Sequence, residues 1–191
     1  MKRLTLTLVA ATLAVACHRQ PATSDTAADN AAAASATPGA SAAAAPQTTS
    51  AADFVAKAAA TDAYEIAAAK LVLGHNPSEA IKRFAQMMVH DHTDSTAKLK
   101  AAIAKSGQSL ALPQALPPDL QANLDALKGA AAGQLDGLYV GQMVDTHRQA
   151  ETVMTAYAAN GDVASLKSFA AAVAPIVRRH LEAAQALQAK G

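Results

Sequence analysis

The chain has 191 residues, of which 51% are hydrophobic and 3% aromatic, and its 16 Lys and Arg against 15 Asp and Glu give a formal net charge of +1. No basic stripe and no run of aromatic residues is present, so the composition predicts no nucleic-acid partner. The single cysteine has no second cysteine with which to form an intramolecular disulfide.

The first 16 residues have the features of a secretion signal peptide. Lys2 and Arg3 form a short basic start, and the apolar run over residues 4–15 is too short to cross a bilayer as a stable helix. The run ends in small residues before Cys17, which resembles the lipobox, where signal peptidase cuts and the cysteine is diacylated. An ordinary signal followed by an unrelated cysteine is the alternative, but lipidation explains both the position and the single occurrence of Cys17.

A lipid on Cys17 predicts a protein anchored to a membrane on the periplasmic side of the cell envelope. His18, and not an aspartate, follows the cysteine, which favours the outer membrane. Loss of Lys2 and Arg3 with the signal peptide leaves 14 basic against 15 acidic residues, a net charge of −1. The membrane is therefore the one partner that the sequence predicts, while a homo-oligomer or an envelope protein partner stays open.

Residues 17–50 are predicted to be the lipidated cysteine followed by a disordered tether of Ala, Ser, Thr and Pro. From His18 to Ser50 there is no leucine, isoleucine, valine or aromatic residue, so this stretch cannot bury a core. Prolines and a glycine interrupt every long alanine-rich window that could form a helix. A flexible segment of this length spans on the order of 30 Å.

Residues 51–191 are predicted to form one all-α domain, a four-helix bundle. Ser50 and Asp53 fit a capping box for a first helix that ends near Leu73. Asn76 is predicted to cap a second helix that continues to about residue 105. A short helix is expected over about 119–128, a third long helix over about 134–159, and a fourth that is capped by Asp162 and reaches 189.

The connections between these helices favour a particular topology. The turns after the first and third long helices are tight, whereas the connection between the second and third is long. Bundles that run simply up and down have short loops throughout, and ferritin-like bundles carry one long crossover. The sequence therefore predicts a ferritin-like fold with a crossover between the second and third long helices.

Each long helix places an ionisable residue on its predicted apolar face. In the crossover topology these residues lie roughly 8 to 15 positions from the same end of the bundle, a spread of about 10 Å. His90 is predicted to point away from the core. The inward set is Glu65, His92, His147, Glu151 at one turn from His147, and His180.

Two interpretations of this set remain open. Three imidazoles and one or two carboxylates inside a helical bundle are the composition of a transition-metal site, with a divalent ion as the cofactor. Equally, buried histidines often form a structural polar cluster with carboxylates or backbone carbonyls. No local motif decides between them.

The domain resembles the bacterial envelope proteins grouped as domain of unknown function family 4142, which is proposed to be ferritin-like. The resemblance covers about 52–188. The residues that carry it are Phe54-Val55-x-Lys57-Ala58-Ala59, Tyr64-Glu65-Ile66, Lys70-Leu71, Phe84-Ala85-Gln86-Met87-Met88-Val89-x-Asp91-His92-Thr93, Tyr139, Met143-Val144, His147, Phe169-Ala170, Pro175, Arg178 and His180-Leu181.

The resemblance implies a helical periplasmic domain, often exported or lipid-anchored, with no established reaction and no catalytic residue to carry over. Ferritin-like oxidases and iron stores use Glu-x-x-His on two helices. Here the residues three before the inward histidines are Val89, Val144 and Val177, which argues against a di-iron site and leaves a mononuclear or zinc site open.

These observations predict a lipid-anchored periplasmic helical-bundle protein with a non-enzymatic role in binding or envelope maintenance. The alternative is a metal-binding ferritin-like protein for storage, buffering or oxidation. An alanine-rich spacer that only positions itself near the cell wall is a third interpretation.

Overall fold

A computed structural model describes residues 49–190, and all regular secondary structure in that range is helical. The predicted signal peptide, Cys17 and the tether up to residue 48 lie outside the described residues. None of the helices in the described range is both long and apolar enough to cross a membrane. The helices are α1 (Ala51–Leu73), α2 (Glu79–Ser106), α3 (Pro118–Gly129), α4 (Ala132–Asn160) and α5 (Ala164–Gln188).

Ser50 is the N-cap of α1, as the sequence predicts, and it bonds to Asp53. The Ser50 side chain accepts a hydrogen bond from the Asp53 backbone N–H at 3.1 Å, and its hydroxyl donates to Asp53 Oδ2 at 2.9 Å. One of the unpaired N–H groups of the first turn is thereby satisfied. The predicted end at Leu73 is confirmed, because the Gly74 N–H bonds to the carbonyls of Lys70 and Leu71.

Two predicted caps are wrong. Asn76 does not cap the second helix, because α2 begins at Glu79 with Ser78 before it, and Asn76 has a φ of 52° in the turn. Asparagine tolerates this left-handed conformation, which lets the chain reverse between α1 and α2.

Asp162 does not cap α5, which is preceded by Val163. Its carboxylate instead accepts hydrogen bonds from the Tyr157 hydroxyl at 2.7 Å and from the Ala51 N–H at 3.4 Å.

The core of the bundle consists of two apolar clusters. The Tyr139 core combines the C-terminal halves of α1 and α5 with the N-terminal halves of α2 and α4, together with Leu124 and Leu127 of α3. The Phe54 core combines the opposite halves of the four long helices. Helices α1 and α5 therefore run in one direction and α2 and α4 in the other.

This arrangement requires a long connection between α2 and α4. Helix α2 ends at the Phe54 core and α4 begins at the Tyr139 core, so the intervening chain travels the length of the bundle and carries α3. Helix α3 packs against α1 and α4. The predicted crossover matches this path, while a ferritin-like relationship stays a prediction.

Because the helices are rich in alanine, whose side chain is small, aromatic residues occupy much of the space in the two cores. Phe54 stacks on Tyr157 with ring centroids 3.9 Å apart and meets Phe169 edge-on at 6.2 Å. In the other core, Phe84 and Tyr139 meet edge-on at 6.0 Å. Such aromatic pairs add about 0.5–1.5 kcal/mol to the stabilisation from burial alone. Between the two cores lies a layer of buried polar side chains.

Candidate metal centre

The buried polar layer brings together four of the five residues predicted to face inward. Glu65 comes from α1, His92 from α2, His147 from α4 and His180 from α5, and Glu65 and His147 are both 0% exposed. Asp62 of α1 and Thr146 of α4 are buried in the same layer. Each long helix therefore contributes at least one polar side chain, as the helical periodicity predicts.

The three imidazoles lie close enough to share one ion. Their ring centroids are 5.3 to 5.5 Å apart in all three pairs. Each of His92, His147 and His180 can offer a ring nitrogen within 4.8 Å of the other two. Glu65 adjoins this group, with its Oε2 3.0 Å from His92 Nε2 and its Oε1 3.2 Å from His147 Nδ1.

Each histidine is held from behind by a hydrogen-bond acceptor. His92 Nδ1 lies 2.8 Å from Asp62 Oδ1, His147 Nδ1 lies 2.9 Å from the Met143 carbonyl, and His180 Nε2 lies 2.9 Å from Asp91 Oδ2. Carboxylate and carbonyl oxygens only accept, so these ring nitrogens carry the N–H. In its neutral form, each ring then presents a lone pair on the other nitrogen. Metal-ligating histidines show this arrangement almost without exception.

Two of the opposite nitrogens have no hydrogen-bond partner. His147 Nε2 and His180 Nδ1 are buried without one, while His92 Nε2 faces Glu65 Oε2 at 3.0 Å. The other oxygen of Glu65 accepts a hydrogen bond from the Thr146 hydroxyl at 2.9 Å. Buried acceptors without a donor are costly, by about 1–3 kcal/mol each. A cation between the three ring nitrogens, which lie within 4.8 Å of one another, would satisfy these nitrogens.

The protonation states of two histidines suit metal binding. Burial lowers the pKa of His180 to about 4, against the opposing effect of Asp91. Burial also lowers the pKa of His147, although the Glu65 charge acts the other way. Both rings are therefore neutral at pH 7 and can offer a lone pair.

The Glu65 carboxylate carries the negative charge of the centre. Burial acts to raise its pKa, but His147 and His92 outweigh that effect and lower the pKa to about 2. Burial likewise acts to lower the pKa of His92, and the Glu65 charge with the hydrogen bonds to Asp62 and Glu65 raises it to about 10. In the ion-free protein a proton on His92 therefore faces Glu65, and a bound metal ion would take its place.

Glu151 does not join the centre. It forms an ion pair with Arg178, with Nε 2.8 Å from Oε1, and its side chain is 29% exposed. Four residues turn an α-helix by about 40° beyond a full turn, which moves Glu151 from the buried face of α4 to its border with α5. The prediction for His90 is confirmed, since its side chain is 82% exposed.

Asp62 and Asp91 are hydrogen-bond partners of the cluster that the helical pattern alone did not reveal. Asp62 lies one turn before Glu65 on the same face of α1, which is a usable sequence signal. Its second oxygen accepts a hydrogen bond from Thr96 at 3.0 Å, so both oxygens are already engaged and Asp62 supports His92. Asp91 lies at the edge of α2 and reaches His180 only because α5 packs there.

The fold and this centre define a class of protein, a helical bundle with a buried histidine–carboxylate cluster between two apolar cores. The family model described as Domain of unknown function (DUF4142) matches residues 34–187, and the chain belongs to this family. No curated protein and no solved structure matches the chain. The matched range begins within the predicted tether, in a part of the chain outside the described residues.

Proposed function

We propose that the bundle binds one divalent transition-metal ion through Glu65, His92, His147 and His180. The observation that carries the proposal is the group of three buried histidines whose ring nitrogens lie within 4.8 Å of one another, two of them without a hydrogen-bond partner. The outer hydrogen bonds to Asp62, Asp91 and Met143 hold the three rings with these atoms directed inward. Binding of an ion is thus the simplest way to complete this layer.

The ligand set indicates the kind of ion. Three imidazole nitrogens and one carboxylate oxygen suit Zn²⁺, Fe²⁺, Cu²⁺ or Ni²⁺ better than Mg²⁺ or Ca²⁺, which prefer oxygen ligands. A di-iron centre needs more carboxylates than this layer supplies, because Glu151 pairs with Arg178 and Asp62 with His92. We therefore propose a mononuclear site, used for binding or buffering of the ion.

A purely structural polar cluster is the competing interpretation. In that case a proton on His92, facing Glu65 Oε2 at 3.0 Å, balances part of the negative charge. That proton leaves His147 Nε2 and His180 Nδ1 without partners, whereas a metal ion uses both. This difference favours the metal interpretation.

We also propose, from the sequence alone, that Cys17 is lipidated and tethers the bundle to a membrane on the periplasmic side of the envelope. A basic start, a short apolar run and small residues before the one cysteine support this proposal. A site of this kind on a tether would bind metal ions in the periplasm.

Metal analysis of the purified full chain tests the proposed site. We expect one transition-metal ion per chain after purification without chelator, or after loading with Zn²⁺ or Fe²⁺. His180→Ala removes an inward ligand and should lose the ion. His90→Ala removes the exposed histidine two residues from His92 and should keep it. A chain that binds neither ion, or a His180→Ala variant that binds as well as the wild type, contradicts the proposal.

A further inference from the structure

A cavity of about 470 Å³ adjoins the proposed metal centre on the side of the Phe54 core. Its apolar wall includes Ala58 of α1, Ala150 and Met154 of α4, and Val173 of α5, and the rings of His92 and His180 border it. It opens to solvent beside the exposed side chains of Lys57, Lys98 and Arg179. Small-molecule sites have volumes of about 300–1,000 Å³ and mainly apolar walls, so this cavity has the size and lining of such a site.

The cavity reaches the centre from one side only. His92 and His180 line it, whereas Glu65 and His147 do not. An ion held by the four ligands would therefore be approached by a further ligand from the cavity. Catalytic and ligand-binding metal sites differ from closed structural ones by such an open position.

The charges around the cavity are nearly balanced. Its basic side chains are Lys57, Lys98 and Arg179, and its acidic side chains are Asp62, Asp91, Asp94 and Asp119. Lys98 is already paired with Asp94 at 2.6 Å. Without an excess of either sign, the cavity has no reason to select an anion or a cation.

We propose that this cavity binds a small, uncharged and largely apolar molecule that coordinates the metal ion through one oxygen or nitrogen atom. The apolar part lies against Ala58, Ala150 and Val173, and the donor atom lies toward His92 and His180. This inference rests on the proposed function, because the donor atom binds the ion held there.

Two probes with the same donor nitrogen test the proposal on the full chain loaded with Co²⁺, whose visible absorption reports its ligands. The probes are 1-methylimidazole and 1-phenylimidazole, which differ in the apolar group that enters the cavity. We expect both to change the Co²⁺ spectrum. The phenyl compound should bind at least about tenfold tighter, because its ring is removed from water.

Variants that fill the cavity provide the decisive comparison. Ala150→Phe places a ring in the cavity and should abolish the preference for the phenyl probe, and Ala58→Leu does the same from α1 if Ala150→Phe folds poorly. Ala183→Phe is the matched control, since Ala183 is half-buried on α5 beside the Tyr139 core and outside the cavity. It should keep the preference.

The outcomes separate this inference from the metal proposal. If Co²⁺ does not bind at all, the proposed function fails, and this inference fails with it. If Co²⁺ binds and neither probe changes its spectrum, only the cavity proposal is overturned. A phenyl preference that survives in both Ala150→Phe and Ala58→Leu also overturns it, because the ring then lies elsewhere.

Discussion

The Phe54 core and the polar layer beside it differ in whether their contacts are complete. In the Phe54 core, aromatic rings meet one another directly, with Phe54 against both Tyr157 and Phe169. In the polar layer, His147 Nε2 and His180 Nδ1 are buried without a hydrogen-bond partner. The contacts of the Phe54 core are therefore complete, whereas those of the polar layer are not. Folding of this chain and metal binding by it should respond to different substitutions.

The largest expected effect is on metal binding itself. His147→Ala removes a 0% exposed ligand from the layer and should weaken metal affinity by at least about a thousandfold, which corresponds to about 4 kcal/mol. Added Zn²⁺ should raise the melting temperature of the wild type by mass action and leave that of His147→Ala unchanged. His90→Ala is the control and should respond like the wild type. An equal response of His147→Ala to Zn²⁺ would show that the ion binds elsewhere.

In the apolar core, Phe54→Ala should lower the free energy of unfolding by about 3–5 kcal/mol, because it removes a fully buried ring and leaves a cavity. The loss should be the same with and without metal, as measured by denaturant unfolding. Leu138→Ala is the control, since Leu138 is 36% exposed and its loss should cost much less. A loss at Phe54 that disappears on metal addition would contradict the separation of core and layer.

The outer hydrogen bonds of the layer should have an intermediate effect. Asp91→Ala removes the acceptor that orients His180 and should weaken metal affinity by about 10–100-fold, with one ion still bound per chain at saturation. Isothermal titration with Zn²⁺ measures the change. Asp94→Ala alters an aspartate on the same helix that pairs with Lys98 at the surface and should leave affinity unchanged. Equal Zn²⁺ affinities of the two variants would show that Asp91 does not support the metal site.

A smaller effect is expected at the start of α1, at the end of the Phe54 core. Ser50→Ala removes the side chain that accepts the Asp53 N–H and should lower the free energy of unfolding by about 0.5–2 kcal/mol. Ser78 precedes α2 without a side-chain capping bond, so Ser78→Ala should cost almost nothing. Similar losses in thermal unfolding of the two variants would contradict the assignment of the cap.

The smallest effect on the bundle is expected from Cys17→Ser. Incorporation of labelled palmitate in cells should disappear, because the proposed acylation site is lost. The free energy of unfolding and the metal content should not change, because the proposed ligands and the residues of the two described cores are unaltered. Labelling that persists in the variant would overturn the proposed anchor.

Periodicity predicted the parts of the centre that depend on one helix at a time. His92, His147, His180 and Glu65 each lie on the apolar face of their own helix, and this direction can be read at 100° per residue. The same method placed Glu151 in the cluster wrongly, because it considers one helix at a time. Glu151 lies at the edge of that face, where the position of Arg178 on α5 decides which way the side chain turns.

Contacts between helices could not be predicted in this way. Asp62 and Asp91 became recognisable only when His92 and His180 were placed beside them. The role of Asp162 also depends on tertiary structure, since its carboxylate joins the end of α4 to the start of α1. An N-cap prediction considers only the residues that follow in sequence, and here a more distant donor was available.

By itself the sequence determined the all-α class, the approximate helix boundaries and the inward direction of the histidines, because these follow from local periodicity and turn residues. Only the tertiary structure decided that two of the inward ring nitrogens are left without hydrogen-bond partners, and that a cavity adjoins the polar layer. The physical reason is that satisfaction of a buried polar atom depends on neighbours from other helices.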